Sequence, residues 1–175
     1  MTSHFKTFET KRLLLKPTSK DDAEFILRLF NTPKWLKYIG DRNVNTIEEA
    51  RLYIKMRMIP QMERLGFSNY TILRKPDEEK IGICGLYDRA GLDGLDIGFA
   101  LLPEFEGNGY AFEATSKLKQ VAFDEFDITE IQAITSQDNI SSQKLIEKLG
   151  LEFIGLVRLP NDTEDLFLYK TFSSD

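Results

Sequence analysis

Leu92-Asp-Gly-Leu-Asp-Ile-Gly-Phe-Ala-Leu-Leu-Pro-Glu-Phe-Glu-Gly-Asn-Gly-Tyr-Ala-Phe-Glu-Ala114 reads as a strand, a short glycine-bearing loop and the first turn of a helix. Leu95 to Leu102 is apolar and carries no helix-start signal. Pro103 closes it, because proline has no N–H with which to continue a ladder. Gly107 and Gly109 let the backbone turn tightly and keep Cβ atoms out of a ligand's way. From Tyr110 the spacing becomes helical, with Ala111, Ala114, Leu118, Val121, Ala122 and Phe126 on one side. A strand, a glycine loop and a helix start together make an anion site. The first helical N–H groups have no partner inside the helix, and the dipole favours negative charge. A pyrophosphate is the natural guest, although two glycines alone also suit an ordinary strand-to-helix turn. The dinucleotide fingerprint needs a Gly or Ala where Phe112 stands, and no Gly-Lys-Ser/Thr of a P-loop occurs.

Outward from this stretch, strands precede helices. Arg12–Lys16 forms a first strand ended by Pro17, and Ser19 with Asp22 makes a capping box for a helix that turns Ala23, Ile26, Leu27 and Phe30 inward. Asn31-Thr-Pro33 breaks that helix, and Trp35 to Tyr38 forms a short helical turn. Thr46 and Glu49 cap a long helix to about Arg64, with Pro60 kinking or interrupting it and Gly66 closing it. Phe67–Arg74, Lys80–Tyr87 and the strand at 95–102 follow, with Gly82 and Gly85 as candidate bulges and 88–94 as a hairpin loop. After the central helix come a strand at Glu130–Ser136, a helix at Ile140–Leu149 capped by Asp138 or Asn139, and strands at Leu151–Leu159 and Leu166–Phe172. The strand–helix–strand from 95 to 135 requires a parallel crossover. The expected architecture is α+β, a mixed α/β single domain over residues 1–175. It has a central, mostly antiparallel mixed sheet of six to seven strands with helices on both faces.

The composition narrows the function. The chain has 175 residues, 42% of them hydrophobic and 29% charged, which is ordinary for one globular domain. A net charge of −5 argues against a nucleic-acid binder and suits a basic acceptor. The single cysteine, Cys84, cannot form an internal disulfide, and its apolar surroundings suit a buried strand residue. His4 is the only histidine and lies in the polar leader, so neither a His-dependent triad nor a histidine zinc site is expected. No run is long enough to span a bilayer, and a cytoplasmic protein is the default expectation.

The glycine stretch resembles the acetyl-CoA-binding motif Gln/Arg-x-x-Gly-x-Gly/Ala of the GNAT N-acetyltransferase superfamily, here Glu106, Gly109 and Ala111. Arg12-Leu-Leu-Leu, Tyr38-Ile-Gly-Asp-Arg, Asp96-Ile-Gly-Phe-Ala-Leu-Leu-Pro, Asn139-Ile-Ser-Ser142 and Glu147-Lys-Leu-Gly-Leu151 stand in the order of its RimJ/RimL-type branch. The resemblance implies a GNAT fold and transfer of an acetyl group from acetyl-CoA to a primary amine, either a protein N-terminus or a small molecule. Both substrates would be bound together. It also implies that a homodimer is open to such a chain. Acceptor choice would lie in loops such as 31–45 and 88–94.

The resemblance implies roles residue by residue. The pantetheine arm would pair with the strand at Phe99, Ala100, Leu101 and Leu102, and a backbone N–H near Ala100–Leu101 would polarise the thioester carbonyl. Gly107, Asn108, Gly109, Tyr110, Ala111 and Phe112 would hold the pyrophosphate. Asn139 would hold the pantetheine, and Ser142, three residues on along one helix face, would lie near the sulfur and donate a proton to it. An N-cap followed by a solvent-facing serine is the other reading of that pair. Many relatives carry a tyrosine acid where Ile146 stands. Glu106 replaces the usual Gln or Arg and should point away from an anion, and Asn108 replaces a common Lys. Asp96 is the candidate base, acting through water, unless it merely pairs within the sheet; Glu104 and Asp88 are weaker alternatives. Trp35 and Tyr38 either border the acceptor or seal the core beneath the loop, and Asp41 and Arg42 either contact an acceptor or form an exposed ion pair. A binding module that keeps the pocket without the chemistry is the competing class. A nucleotide-dependent oxidoreductase is disfavoured by Phe112 and by the antiparallel strands ahead of the glycine loop.

Overall fold

The computed structural model describes residues 5–174; His4 lies outside them. Eight strands form one sheet in the order β1-β2-β3-β4-β5-β6-β8-β7. They are β1 (Phe8–Glu9), β2 (Leu13–Pro17), β3 (Asn69–Arg74), β4 (Glu79–Asp88), β5 (Leu95–Leu101), β6 (Glu130–Thr135), β7 (Glu152–Val157) and β8 (Leu166–Phe172). The expectation of six to seven is exceeded by the two-residue β1, which carries no periodicity to read. Only β5 and β6 are parallel neighbours. The first five strands run antiparallel in chain order, as do β6, β8 and β7.

Helices α1 (Ala23–Phe30), α2 (Pro33–Tyr38), α3 (Ile47–Tyr53) and α4 (Ile59–Leu65) connect β2 to β3, α5 (Tyr110–Glu125) connects β5 to β6, and α6 (Ile140–Lys148) follows β6. Two cores result. Ala114, Leu118, Val121 and Ala122 of α5 pack with Ile146 of α6 on Cys84, Leu86, Ile97, Ile131 and Ala133. On the other face Ile26, Leu29 and Phe30 of α1 pack with Trp35, Ala50 and Ile54 on Ile83 and Leu102. The α1 face is wider than the spacing predicted, since Phe25 and Leu29 are buried as well.

Local chemistry accounts for the joints. Ser19 and Asp22 form the expected capping box. At the next helix start, Thr46 accepts from the Glu49 N–H at 3.0 Å, but the Glu49 carboxylate reaches the Asn45 N–H at 2.6 Å, so the second box is displaced by one residue. The long helix predicted to Arg64 is interrupted by a π-helical turn at Ile54–Met58, where the Ile59 N–H reaches back to Ile54 O. Pro60 has no N–H and cannot extend the ladder, and the wider turn accommodates the break. Gly66 closes the helix at φ 86°.

Of the two candidate bulges, the one at Gly82 lies at a real slip in register and the one at Gly85 does not. The register slips between Ile72 and Leu73, whose partners are Gly82 and Lys80, so Ile81 is the extra residue. Gly85 is regular. It and its cross-strand partner Gly98 instead form a floor for the Tyr87 ring. A Cβ at Gly85 would meet that ring at 2.5 Å and the Ser68 carbonyl at 2.6 Å, and one at Gly98 would meet the ring at 2.9 Å. The ring's hydroxyl donates to Asn69 Oδ1. Gly85→Ala is therefore expected to cost about 2 kcal/mol by overpacking, a fall in Tm of about 4–8 °C at this size. A melting curve that does not move would show that the ring is not held against that glycine.

Candidate active site

β5 is bonded to β4 along its whole length, from Leu95 opposite Asp88 to Leu101 opposite Gly82. On its other side the register with β6 consists of one pair, Asp96 with Gln132. Each strand stays with its second neighbour, β4 or β8, and the sheet opens between them. Gly98, Phe99, Ala100 and Leu101 are half-buried along this fork, while Leu102 beyond them is fully buried. Backbone polar groups need partners, and such an edge suits an extended, amide-bearing chain.

The glycine loop stands at the open end of the fork. Gly107 and Gly109 have φ of 78° and 80°, the left-handed region that favours glycine, and Gly109 is the N-cap of the 16-residue α5. A Cβ at Gly107 would meet nothing within 4 Å, and one at Gly109 would meet Arg12 Nη2 at 3.4 Å. The space above Gly107 is thus open, while the Arg12 guanidinium closes over Gly109. Asn108 closes the loop on itself, its amide donating to the Glu106 carbonyl at 3.1 Å and to the Phe105 carbonyl at 3.3 Å.

Arg12, at the entry to β2, clamps this loop from 96 positions away. It donates to the Asn108 carbonyl at 3.0 Å and to Glu113 Oε1 at 2.9 Å, and its guanidinium stacks 4.4 Å from the Tyr110 ring. Glu113 Oε2 takes the Thr10 hydroxyl at 2.7 Å and the Arg12 N–H at 3.2 Å. Burial pushes the Glu113 carboxyl up, and these hydrogen bonds together hold it below its ordinary value. In the first turn of α5, Ala111 is half-buried and Phe112 lies under Lys148 Nζ at 4.1 Å.

Glu106 points to Lys34, 2.7 Å away. This pair neutralises an acid beside the glycine loop. Glu106→Gln is expected to tighten acetyl-CoA binding about 3- to 10-fold, because it removes a like charge and releases the Lys34 ammonium. Titration calorimetry reads this, and an unchanged or weaker Kd would count against the loop as the pyrophosphate site.

Asp96 lies at the closed end of the fork and is 2% exposed. Arg89 binds both of its oxygens, Nε to Oδ1 at 3.1 Å and one Nη to Oδ2 at 3.4 Å. Burial pushes the carboxyl up, and Arg89 offsets only part of that. Tyr87 is its cross-strand partner. Because Ile97 joins the α5 core, Asp96 faces the α1–α3 side. The weaker base candidates are in surface ion pairs, Glu104 with Arg28 and Asp88 with Arg64.

Asn139 is the N-cap of α6, its Oδ1 accepting from the Ser142 N–H at 3.3 Å. Ser142 is half-buried. Ile146, one turn on along the same face, is 2% exposed and packs in the α5 core. Trp35 is buried and stacks on Phe30 at 4.0 Å, so it belongs to the core beneath the loop. Tyr38 is half-buried under Lys37 Nζ at 4.8 Å. Asp41 is exposed and accepts from the Asn43 N–H at 2.7 Å, a turn contact and not the ion pair with Arg42 considered from sequence. Burial pushes the Cys84 thiol up, as expected of an inert strand residue.

A glycine loop at a helix N-terminus beside an opened pair of parallel strands suits an extended ligand that carries an anion. Residues 12–152 match the acetyltransferase (GNAT) domain model, and the chain belongs to that family. It is 31% identical over 155 residues to YoaA, an uncharacterised N-acetyltransferase of Bacillus subtilis, covering 88% of this chain and 87% of that one. It is 30% identical over 155 residues to the uncharacterised N-acetyltransferase p20 of Bacillus licheniformis, covering 87% and 86%. Among solved structures, RimL, a ribosomal L7/L12 α-N-acetyltransferase in complex with coenzyme A, superposes with a TM-score of 0.81 at 19% identity, covering 95% of this chain and 98% of that one. At that identity the likeness is one of fold. The chain is an N-acetyltransferase, and acetyl-CoA is the donor of its family. The open strand edge and the Cβ-free loop fit that donor.

Sequence reading missed Arg12, Glu113, Lys34, Tyr87 and Arg89. Arg12 stands in a quoted motif but without a site role, and Arg89 is signalled by the hairpin register that sets Tyr87 against Asp96 and brings Arg89 beside it. No helix among the described residues is long and apolar enough to cross a membrane.

Proposed function

We propose that the chain transfers an acetyl group from acetyl-CoA directly to a primary amine, with both bound at once. The observation that carries this is the fork, where pairing between β5 and β6 ends at Asp96 and Gln132 between the N-termini of α5 and α6. The backbone of Phe99–Leu102 would take the pantetheine amides as an added strand, and the N–H groups of 107–112 the pyrophosphate. The Asn139 amide, beyond its capping role, would steady the arm. When bound, the donor supplies an activated acyl group and a thiol leaving group. The amine would approach from the α1–α3 face, past Tyr38 and Asp41 and over the core that Trp35 seals. Asp96 would receive its proton through water, the raised carboxyl suiting that role. The Ser142 hydroxyl would return a proton to the departing sulfur. A cytoplasmic enzyme is part of the same reading, and the molar mass in solution would tell whether it pairs with a second copy.

A binding module is the second reading, favoured by the buried Ile146 in place of a tyrosine acid. Thermal unfolding with acetyl-CoA, against NAD as control, tests the first step. Ligand at about 100 times its Kd adds about 2.7 kcal/mol, or about 5–10 °C here. Stabilisation by acetyl-CoA together with thiol release on an amine panel supports the enzyme. Stabilisation without turnover on any amine supports the module, and no stabilisation rejects the donor site.

A further inference from the structure

Acetyl transfer as set out above leaves several features of the acceptor face unused. Arg89 leaves the end of β4 and returns its guanidinium over the sheet to Asp96, with Cζ 5.5 Å from the centroid of the Tyr87 ring. A guanidinium fixed along one edge by a carboxylate and near an aromatic ring is preorganised, and its other edge matches a second planar anion. The remaining Nη1 has no hydrogen-bond partner among the described residues, and the side chain is 33% exposed.

Gln132 is in register with Asp96, across the fork. Ile131 and Ala133 join the α5 core, so Gln132 shares the face of Asp96. It is 3% exposed. Its Nε2 donates to Glu130 at 3.0 Å, while its Oε1 is buried with no partner among the described residues. A buried carbonyl oxygen left without a donor costs stability, and an incoming N–H would relieve it.

Charge points the same way. Residues 33–65, which span α2 to α4, carry seven Lys or Arg against four Asp or Glu, although the whole chain is net −5. Lys34 and Arg64 are paired with Glu106 and Asp88 from outside the segment, so the remaining excess is small, but the segment beside the acceptor face does not share the acidity of the whole chain.

We propose that the acceptor amine carries an anionic group, a carboxylate or a phosphate, close to its nitrogen, with Arg89 anchoring that anion and Gln132 Oε1 taking an N–H of the amine. The proposal rests on the acetyl-transfer reading and names its substrate class. It excludes a simple alkylamine or a polyamine, and it disfavours a peptide N-terminus, whose first carboxyl is tied up in an amide.

Thiol release from acetyl-CoA with matched acceptors tests it. Each set holds an α-amino acid, its amide, the amine lacking the carboxyl, and the aminoalkyl phosphate. The better anionic member should exceed the amide at least about 10-fold in kcat/KM, the scale of a charge-assisted bidentate contact. Arg89→Lys keeps the charge and loses the fork. It should raise KM for the anionic member about 10-fold while leaving KM for acetyl-CoA near wild type, with both enzymes assayed well below the variant's Tm because Asp96 also loses a bidentate partner. An amide or simple amine used as well as its anionic partner overturns the proposal. So does an enzyme that acetyl-CoA stabilises but that acetylates no anionic member. If acetyl-CoA does not stabilise the protein at all, the donor site fails and the proposal falls with it.

Discussion

Asp96→Asn is expected to lower kcat for acetyl transfer by at least about 10²-fold, the scale of general base catalysis, with the affinity for acetyl-CoA near wild type. The wild-type rate should also show an acidic limb that the variant lacks. Burial raises the Asp96 carboxyl above its ordinary range, and the base must be ionised to act. Activity is therefore gained as pH rises through the raised value, at a higher pH than an ordinary carboxylate would give. Stability should move the other way. A carboxyl whose folded pKa exceeds its unfolded one contributes stability that is complete below the unfolded pKa and is lost as pH rises through the folded pKa. Wild type should lose stability across that window and the variant should not. The substitution also leaves Arg89 with a neutral partner, which can cost about 3 kcal/mol or more. Rates should therefore be compared well below the variant's Tm. An Asp96→Asn enzyme with an unaltered pH profile would leave Asp96 as a structural mate of Arg89.

Ser142→Ala should lower turnover by about 10²-fold without moving the Kd of acetyl-CoA. The serine's N–H, not its hydroxyl, is engaged by Asn139. Its side chain is therefore free to turn, and the cap survives the substitution. Ile146, on the same face, is locked in the core and offers no proton. If Ser142 is the acid, the loss should shrink with acyl donors whose thiol leaves more readily, because protonation of the sulfur then matters less. A wild-type rate would remove Ser142 from the mechanism and leave water as the proton source.

The strand–loop–helix at 92–114 was legible because three signals coincide there: an apolar run, proline and glycine punctuation, and a change of period. The order of the elements followed from it. What escaped was non-local. Arg12 and Glu113 meet only because the sheet folds β2 against the start of α5, and nothing near either residue announces it. The fork was equally hidden. A strand that is paired on both sides at one end and on one side at the other has the same apolar character throughout, and the divergence comes from β4 and β8 each holding its own neighbour. Gly85 was misread for a related reason. A glycine in a strand signals a bulge or a close approach, and the approaching Tyr87 ring is visible only in three dimensions.

The single rung between Asp96 and Gln132 has a mechanical consequence. Five strands form one leaf and three form another, and the leaves share one point of backbone registry. Beyond it, the β5 amides directed toward β6 have no rung to hold them, so they are expected to exchange their hydrogens with solvent sooner than those directed at β4. The donor arm proposed to pair with Phe99–Leu102 would be a ninth ribbon in that gap. It would splint the leaves together, and its departure would leave a sheet held at one clasp.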